Sequence, residues 1–215
     1  MKRKILLIGA GGHCKVVLDI ICETDYYRVA GIVDLKERLG GDIFGIPIIG
    51  TDADMHHFFK SGIKRCFISV GSVCDSSVRV RLYNHVKKLG FVLPNLISRS
   101  ACVSSLTVLG EGNFVAPGVI INAGTHIGNN CIINTGAIIE HDCIVGDFVH
   151  ISPGSILNGG VKVGNCSHIG AGSTIIQNAE IGNRTIIGAG SVVTKNMPGD
   201  VIAYGNPCRK KKLNV

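Results

Sequence analysis

Every sixth residue from Val103 onward is aliphatic: Val103, Leu109, Val115, Ile121, Ile127, Ile133, Ile139, Val145, Ile151, Leu157, Val163, Ile169, Ile175, Ile181, Ile187 and Val193. If Val, Ile and Leu filled about a fifth of positions at random, the chance of such a run would be about 10⁻¹¹. A helix needs a period of 3.6 and a half-buried strand alternates every two, so neither explains the spacing. A six-residue unit suits a short strand plus a turn, and three units close one triangular coil of about eighteen residues. The position after each aliphatic is often Gly, Ala, Asn or Ser, as at Gly110, Asn122, Gly146 and Gly164, and the fifth is mostly small, as at Thr125, Ala137, Ser155 and Ser173. Glycine and asparagine are read here as supplying the turn dihedrals. The prediction is a parallel β-helix whose inward aliphatics stack coil on coil.

Residues 1–98 follow a different rhythm, that of a Rossmann-like α/β domain, which puts the domain boundary at 98/99 with the β-helix and a basic tail over 99–215. A strand is predicted at Lys4–Ile8, then a glycine loop, then a helix with an apolar face of Val16, Val17, Ile20 and Ile21, then a strand at Val29–Val33 ending on Asp34. Further strands are predicted at Ile46–Ile49, Cys66–Val70 and Val92–Ile97, and helices at Asp52–Ser61 and Ser76–Leu89.

Composition narrows the function classes. With 46% apolar and 17% charged residues the chain is expected to bury a core throughout. The formal charge of +7 is scattered apart from Arg209–Lys212, and aromatics are 5%, too few for base-stacking platforms, so nucleic acid is not expected and small anionic ligands are. Nine cysteines without a CxxC pair, and an N-terminal apolar run too short for a signal peptide, point to reduced thiols in the cytoplasm and to no metal site. His56 and His57 are consecutive and cannot share a helix face. No stretch reaches the roughly 20 apolar residues of a membrane span.

Two places carry chemistry. Gly9-Ala10-Gly11-Gly12-His13 lies between a strand and a helix, where free N–H groups favour phosphate, although Cys14 occupies the third position of a GxGxxG pattern and weighs against a dinucleotide. In Ile139-Glu140-His141-Asp142, His141 falls two places after an inward Ile and projects outward. Imidazole suits the removal of a proton from an attacking amine, with Asp142 or Glu140 as the supporting carboxylate. Gly159 lies one coil beyond His141, either offering an N–H to an oxyanion or serving the Asn158-Gly159-Gly160 turn. His150 and His168 are also a coil apart, stacked on an outward face, with His168 read as exposed. His141 and His150 are half a coil apart, so both reach one substrate only if three chains pack around a threefold axis.

The GAGGH loop, the Asp ending the second strand and a hexapeptide region starting near residue 100 resemble the NeuD/PglD family of sugar acetyltransferases over essentially the whole chain. That resemblance implies left-handed coils and an acetyl-CoA-dependent N-acetyltransferase acting on a nucleotide-linked 4-amino-deoxy sugar, with UDP expected, for bacterial surface glycan synthesis. O-acetylation of a sugar such as sialic acid is the alternative, and a non-catalytic scaffold or sensor the second. It implies His141 as base with Asp142 tuning it, and sugar-nucleotide contacts at Gly11, Gly12, His13, Asp34 and Gly71, with Ser72 departing from the family's usual pair. It further implies acetyl-CoA contacts at His150, Ala171 and Ala189, joined here by Gly159, in a homotrimer with active sites between subunits. Cys143, beside the base, occupies a small inward position, so direct transfer is expected over an acetyl-cysteine. Arg209, Lys210 and Lys211 are read either as 3′-phosphate partners or as a solvated tail.

Overall fold

The computed structural model describes residues 2–214, which form two compact units, one running to Ser72 and including Ser77–Leu96, the other comprising Val73–Ser76 and the chain from Ile97. Among the described residues no helix is long and apolar enough to cross a membrane.

The first unit runs β1 (Arg3–Ile8), α1 (Gly12–Thr24), β2 (Tyr27–Val33), β3 (Asp42–Ile43), β4 (Ile46–Gly50), α2 (Met55–Lys60), β5 (Cys66–Ile68) and α3 (Ser77–Lys88). Its sheet has the order β3-β4-β2-β1-β5, parallel except for the β3–β4 hairpin. β1 lies inside the sheet between β2 and β5, and its run Ile5–Ile8 is buried because both faces of a parallel sheet are covered. The chain moves outward from β1 to β2 and β4, then crosses to β5 on the other side, so the C-terminal ends of β1 and β5 flank the point where open α/β sheets leave a crevice.

Several predicted elements shift. α1 buries Cys14, Val17, Leu18, Ile20 and Ile21, while Val16 stands one position round the helix and is half exposed. The helix expected over 52–61 opens as a single 3-10 turn, Asp52–Asp54, because Thr51 and Asp54 form a capping box there. α3 inserts Leu82 and Val86 but leaves Val78 outside. The strand expected over 92–97 shrinks to a bridge between Val92 and Arg65 and the pair Leu96–Ile97, since Pro94 between them has no N–H to give a ladder.

The second unit is a left-handed parallel β-helix of two-residue strands in three parallel stacks. The register advances by eighteen residues, as in Ile120↔Ile138 and Ile138↔Ile156. Backbone N–H groups reach carbonyls on the next coil, such as His126 to Cys143 and Ile144 to Val161, each at 2.9 Å. From Val115 to Val193 every aliphatic of the six-residue column is at most 3% exposed; Val103 and Leu109 are half-buried. Each fully buried member contributes on the order of 1.5–3 kcal/mol. The small inward residues close the corners: Thr125 donates to the Glu140 carbonyl at 2.8 Å and Ser155 to that of Gly170 at 2.9 Å, which satisfies hydroxyls buried beside the column.

The turn glycines differ from expectation. At Gly146 the φ angle is ordinary, and glycine is needed because a Cβ would stand 2.3 Å from Asn165 Oδ1 on the next coil. The left-handed residues fall two positions later in the hexad, for example Gly154 (φ 65°) and Asp142 (φ 59°). The basic tail is a strand, Arg209–Leu213, antiparallel to Val201–Tyr204, with Lys211 Nζ 5.0 Å from the Tyr204 ring centre.

Ile151, wholly buried in the column, and Leu106, 69% exposed in a turn, offer a paired test. Ile151→Ala is expected to destabilise the protein by about 2–5 kcal/mol and Leu106→Ala by under about 0.5 kcal/mol, read by urea denaturation followed by circular dichroism.

Candidate active site

His141 sits at the corner between the strand pairs Ile138–Ile139 and Ile144–Val145, with its side chain 65% exposed. Its Nδ1 lies 2.8 Å from Asp142 Oδ2. A carboxylate only accepts, so Nδ1 carries the proton between them, and in the neutral ring the lone pair falls on Nε2. Neighbours in a strand would point to opposite faces, but Asp142 is left-handed, and this swings its carboxylate back to the histidine. Asp and Asn enter that conformation more readily than most residues. Glu140 is engaged elsewhere, accepting a bond from Asn122 Nδ2 at 2.8 Å.

Gly159 lies against the imidazole, where a Cβ would be 2.7 Å from both Nε2 and Cε1. The left-handed residue of that turn is Gly160 (φ 69°), so the reason for glycine at 159 is room for the ring. Its N–H meets no carbonyl of the described residues. One coil the other way, a Cβ at Gly124 would be 2.4 Å from Asp142 Oδ1. The sequence reading missed Gly124, although counting eighteen back from Asp142 would have found it. His141, Asp142 and Gly159, with Asn158, Gln177 and Asn178, line a polar depression of about 540 Å³. Cys143 is buried, its thiol donates to the Asn158 carbonyl at 3.2 Å, and burial pushes its pKa up to about 11.

His150 and His168 pair in register on another stack, their rings edge to face at 4.9 Å. Both are nearly buried, at 8% and 9% exposure, which corrects the reading of His168 as an exposed residue. Asn134 Nδ2 stands 3.2 Å from His150 Nε2, and Ser152 Oγ is 3.3 Å from His168 Nε2. Burial lowers the His168 pKa. Ala171 and Ala189 are exposed at one corner, joined by the Gly190 N–H to Ala171 carbonyl bond at 2.8 Å.

In the first unit Gly11 is the N-cap of α1, and neither Gly11 nor Gly12 would bring a Cβ within 4 Å of another atom, so their openness faces outward. Asp34 accepts the Ala10 N–H and, at 2.6 Å, the Leu35 N–H, while Arg38 Nη1 donates to the Ala10 carbonyl at 2.7 Å. The carboxylate thus braces the glycine loop from within. Lys15 and Arg38, not anticipated from sequence, put two cations beside Gly11 and Gly12 in a cleft of about 490 Å³. Gly71 packs against His13, its hypothetical Cβ 3.3 Å from the histidine Cβ.

A profile of the PglD N-terminal domain matches residues 4–86, and the bacterial transferase hexapeptide profile matches 124–159, 142–177 and 160–195. A variant of perosamine N-acetyltransferase from Caulobacter crescentus, solved with CoA and GDP-perosamine, is 38% identical, covers 97% of each chain and superposes with a TM-score of 0.91. The acetyltransferase domain of PglB from Neisseria gonorrhoeae, solved with acetyl coenzyme A, is 33% identical over 98% of this chain and 100% of its own, with a TM-score of 0.89. WeeI from Acinetobacter baumannii is 25% identical over 98% and 100%, with a TM-score of 0.85. An uncharacterized protein of Acanthamoeba polyphaga mimivirus is 35% identical over 111 residues, 52% of this chain, which spans about a fifth (21%) of that curated relative. With two family profiles on its two units and full-length relatives of the same build, the chain belongs to the NeuD/PglD family of hexapeptide-repeat sugar acetyltransferases.

Proposed function

We propose that the chain transfers the acetyl group of acetyl-CoA to the amine of a nucleotide-linked amino sugar, acting in the cytoplasm as a homotrimer. The observation that carries this reading is the His141–Asp142 pair, with Nε2 beside a glycine whose N–H meets no carbonyl of the described residues. The perosamine N-acetyltransferase relative, 38% identical, is solved with CoA and an amino-sugar nucleotide, which supports the same substrate classes here.

The amine nitrogen attacks the thioester carbonyl carbon as His141 Nε2 takes its proton, and Asp142 holds the ring and stabilises the imidazolium. The Gly159 N–H faces the developing oxyanion. As the C–N bond forms the C–S bond breaks, and the CoA thiolate recovers the proton from His141, leaving an amide and free CoA. A covalent acetyl-cysteine is disfavoured because the Cys143 thiol stays protonated near neutrality and is bonded inward. In the first unit Gly11, Gly12 and His13 receive the diphosphate and sugar, Gly71 sets His13, and Asp34 acts by holding the loop. In the trimer His150 of one protomer faces His141 of the next, with Ala171 and Ala189 presenting main-chain groups to the pantetheine arm.

His141→Ala is expected to reduce turnover by about 10²–10⁴-fold in a thiol-release assay while the trimer and its melting temperature persist, because the side chain is exposed. An unchanged rate would remove His141 from the mechanism. Asp142→Asn keeps a residue suited to the left-handed corner, so any loss should fall on kcat, through the wrong tautomer, and spare stability. Gly159→Ala places a methyl 2.7 Å from Nε2 and is expected to cost roughly 10²-fold in kcat through displacement of the ring. Mass spectrometry of the product should find an amide with an amino-sugar acceptor. Faster turnover of a hydroxyl acceptor to an ester would instead make the enzyme an O-acetyltransferase.

A further inference from the structure

Beside the glycine loop, and separate from the cleft that holds Lys15 and Arg38, lies a second cleft of about 300 Å³ at the C-terminal ends of β1, β2 and β5. It sits at the switch point of the sheet, where ligands of open α/β sheets bind. Its walls are apolar, formed by Ile8, Val33, Val70 and Leu82, with Leu35 and Val78 exposed at the mouth. Such a slot accepts a flat ring whose polar edge points outward.

The polar groups at the mouth are few. Asp34 lines the cleft, but its carboxylate is occupied by the N–H groups of Ala10 and Leu35. The remaining pair is Asp52 and Arg81, joined by a single contact, Arg81 Nη1 to Asp52 Oδ2 at 2.8 Å. Their side chains are 44% and 62% exposed. Asp52 Oδ1 and most of the guanidinium N–H groups therefore remain available.

We infer that this cleft holds the nucleobase of the nucleotide-linked sugar and that Asp52 and Arg81 select guanine, a step that rests on the nucleotide-sugar reading above. A carboxylate accepts two N–H groups at once. Guanine alone among the common bases offers two on adjacent atoms, the ring N1–H and the exocyclic 2-amino group, beside a carbonyl oxygen for a guanidinium. Uracil and thymine offer one N–H flanked by two carbonyl oxygens that a carboxylate repels, and cytosine and adenine offer one amino group next to a ring nitrogen that only accepts. The substrate is accordingly a GDP-linked amino sugar, in place of the UDP-linked one expected from sequence.

Isothermal titration calorimetry of the full chain with GDP, UDP, CDP and dTDP tests this. GDP should bind tightest by about tenfold or more, and Asp52→Asn and Arg81→Ala should each weaken GDP roughly tenfold while leaving UDP within about twofold. The melting temperature without nucleotide should hardly move, since an exposed ion pair contributes little. UDP binding as tightly as GDP, or Asp52→Asn weakening all four nucleotides alike, overturns the guanine assignment and leaves the acetyltransferase reading standing. Failure of all four to bind overturns both.

Discussion

Hydrogen bonding between successive coils is the constraint from which the β-helix unit follows. The first residue of a typical strand gives its N–H to a carbonyl seventeen positions on, as His126 does to Cys143, and residues eighteen apart then lie over one another. Any feature of one coil becomes a boundary condition on its neighbours. An inward aliphatic must meet another, or the column has a void that surrounding atoms cannot fill. A corner side chain that turns back on the stack needs a partner without a Cβ, as Asn165 does above Gly146. At one corner side chains add to the backbone bonds: Asp147 accepts from the Asn129 N–H at 2.7 Å, and Asn165 from that of Asp147 at 2.8 Å.

The catalytic constellation uses the same rule. His141 can lie along the stack because Gly159 leaves the space for its ring, and Asp142 can turn toward it because Gly124 leaves the space for its carboxylate. The corner demands a left-handed residue, aspartate is among the few side chains that tolerate this, and that conformation is what aims its carboxylate at Nδ1. Backbone requirement and acid–base function thus coincide at one position. The pair is exposed, so it can be replaced with little effect on folding, whereas the glycines around it serve packing and chemistry together.

In the α/β unit the division of labour is different. Asp34 satisfies its carboxylate within the chain and fixes the loop whose glycines stay open to solvent. A loop held from below loses little freedom on binding, which lowers the entropic cost of capturing a diphosphate. Recognition of the rest of the nucleotide passes to side chains from elements far apart in sequence, Asp52 after β4 and Arg81 on α3.

The hexapeptide period, the aliphatic column, the glycine loop, His141 and its link to Gly159 could all be read from the chain alone. Each is a periodic or local signal: a six-residue repeat states its own partners by arithmetic, and a strand-loop-helix glycine run acts through its own backbone. The choice of Asp142 over Glu140 could not be read, because it turns on one left-handed dihedral and on Asn122 engaging the glutamate. The burial of His168, the outward turn of Val16 and the meeting of Asp52 with Arg81 were equally hidden. They depend on which face a neighbouring element covers and on contacts between distant segments, and a linear pattern carries no record of either.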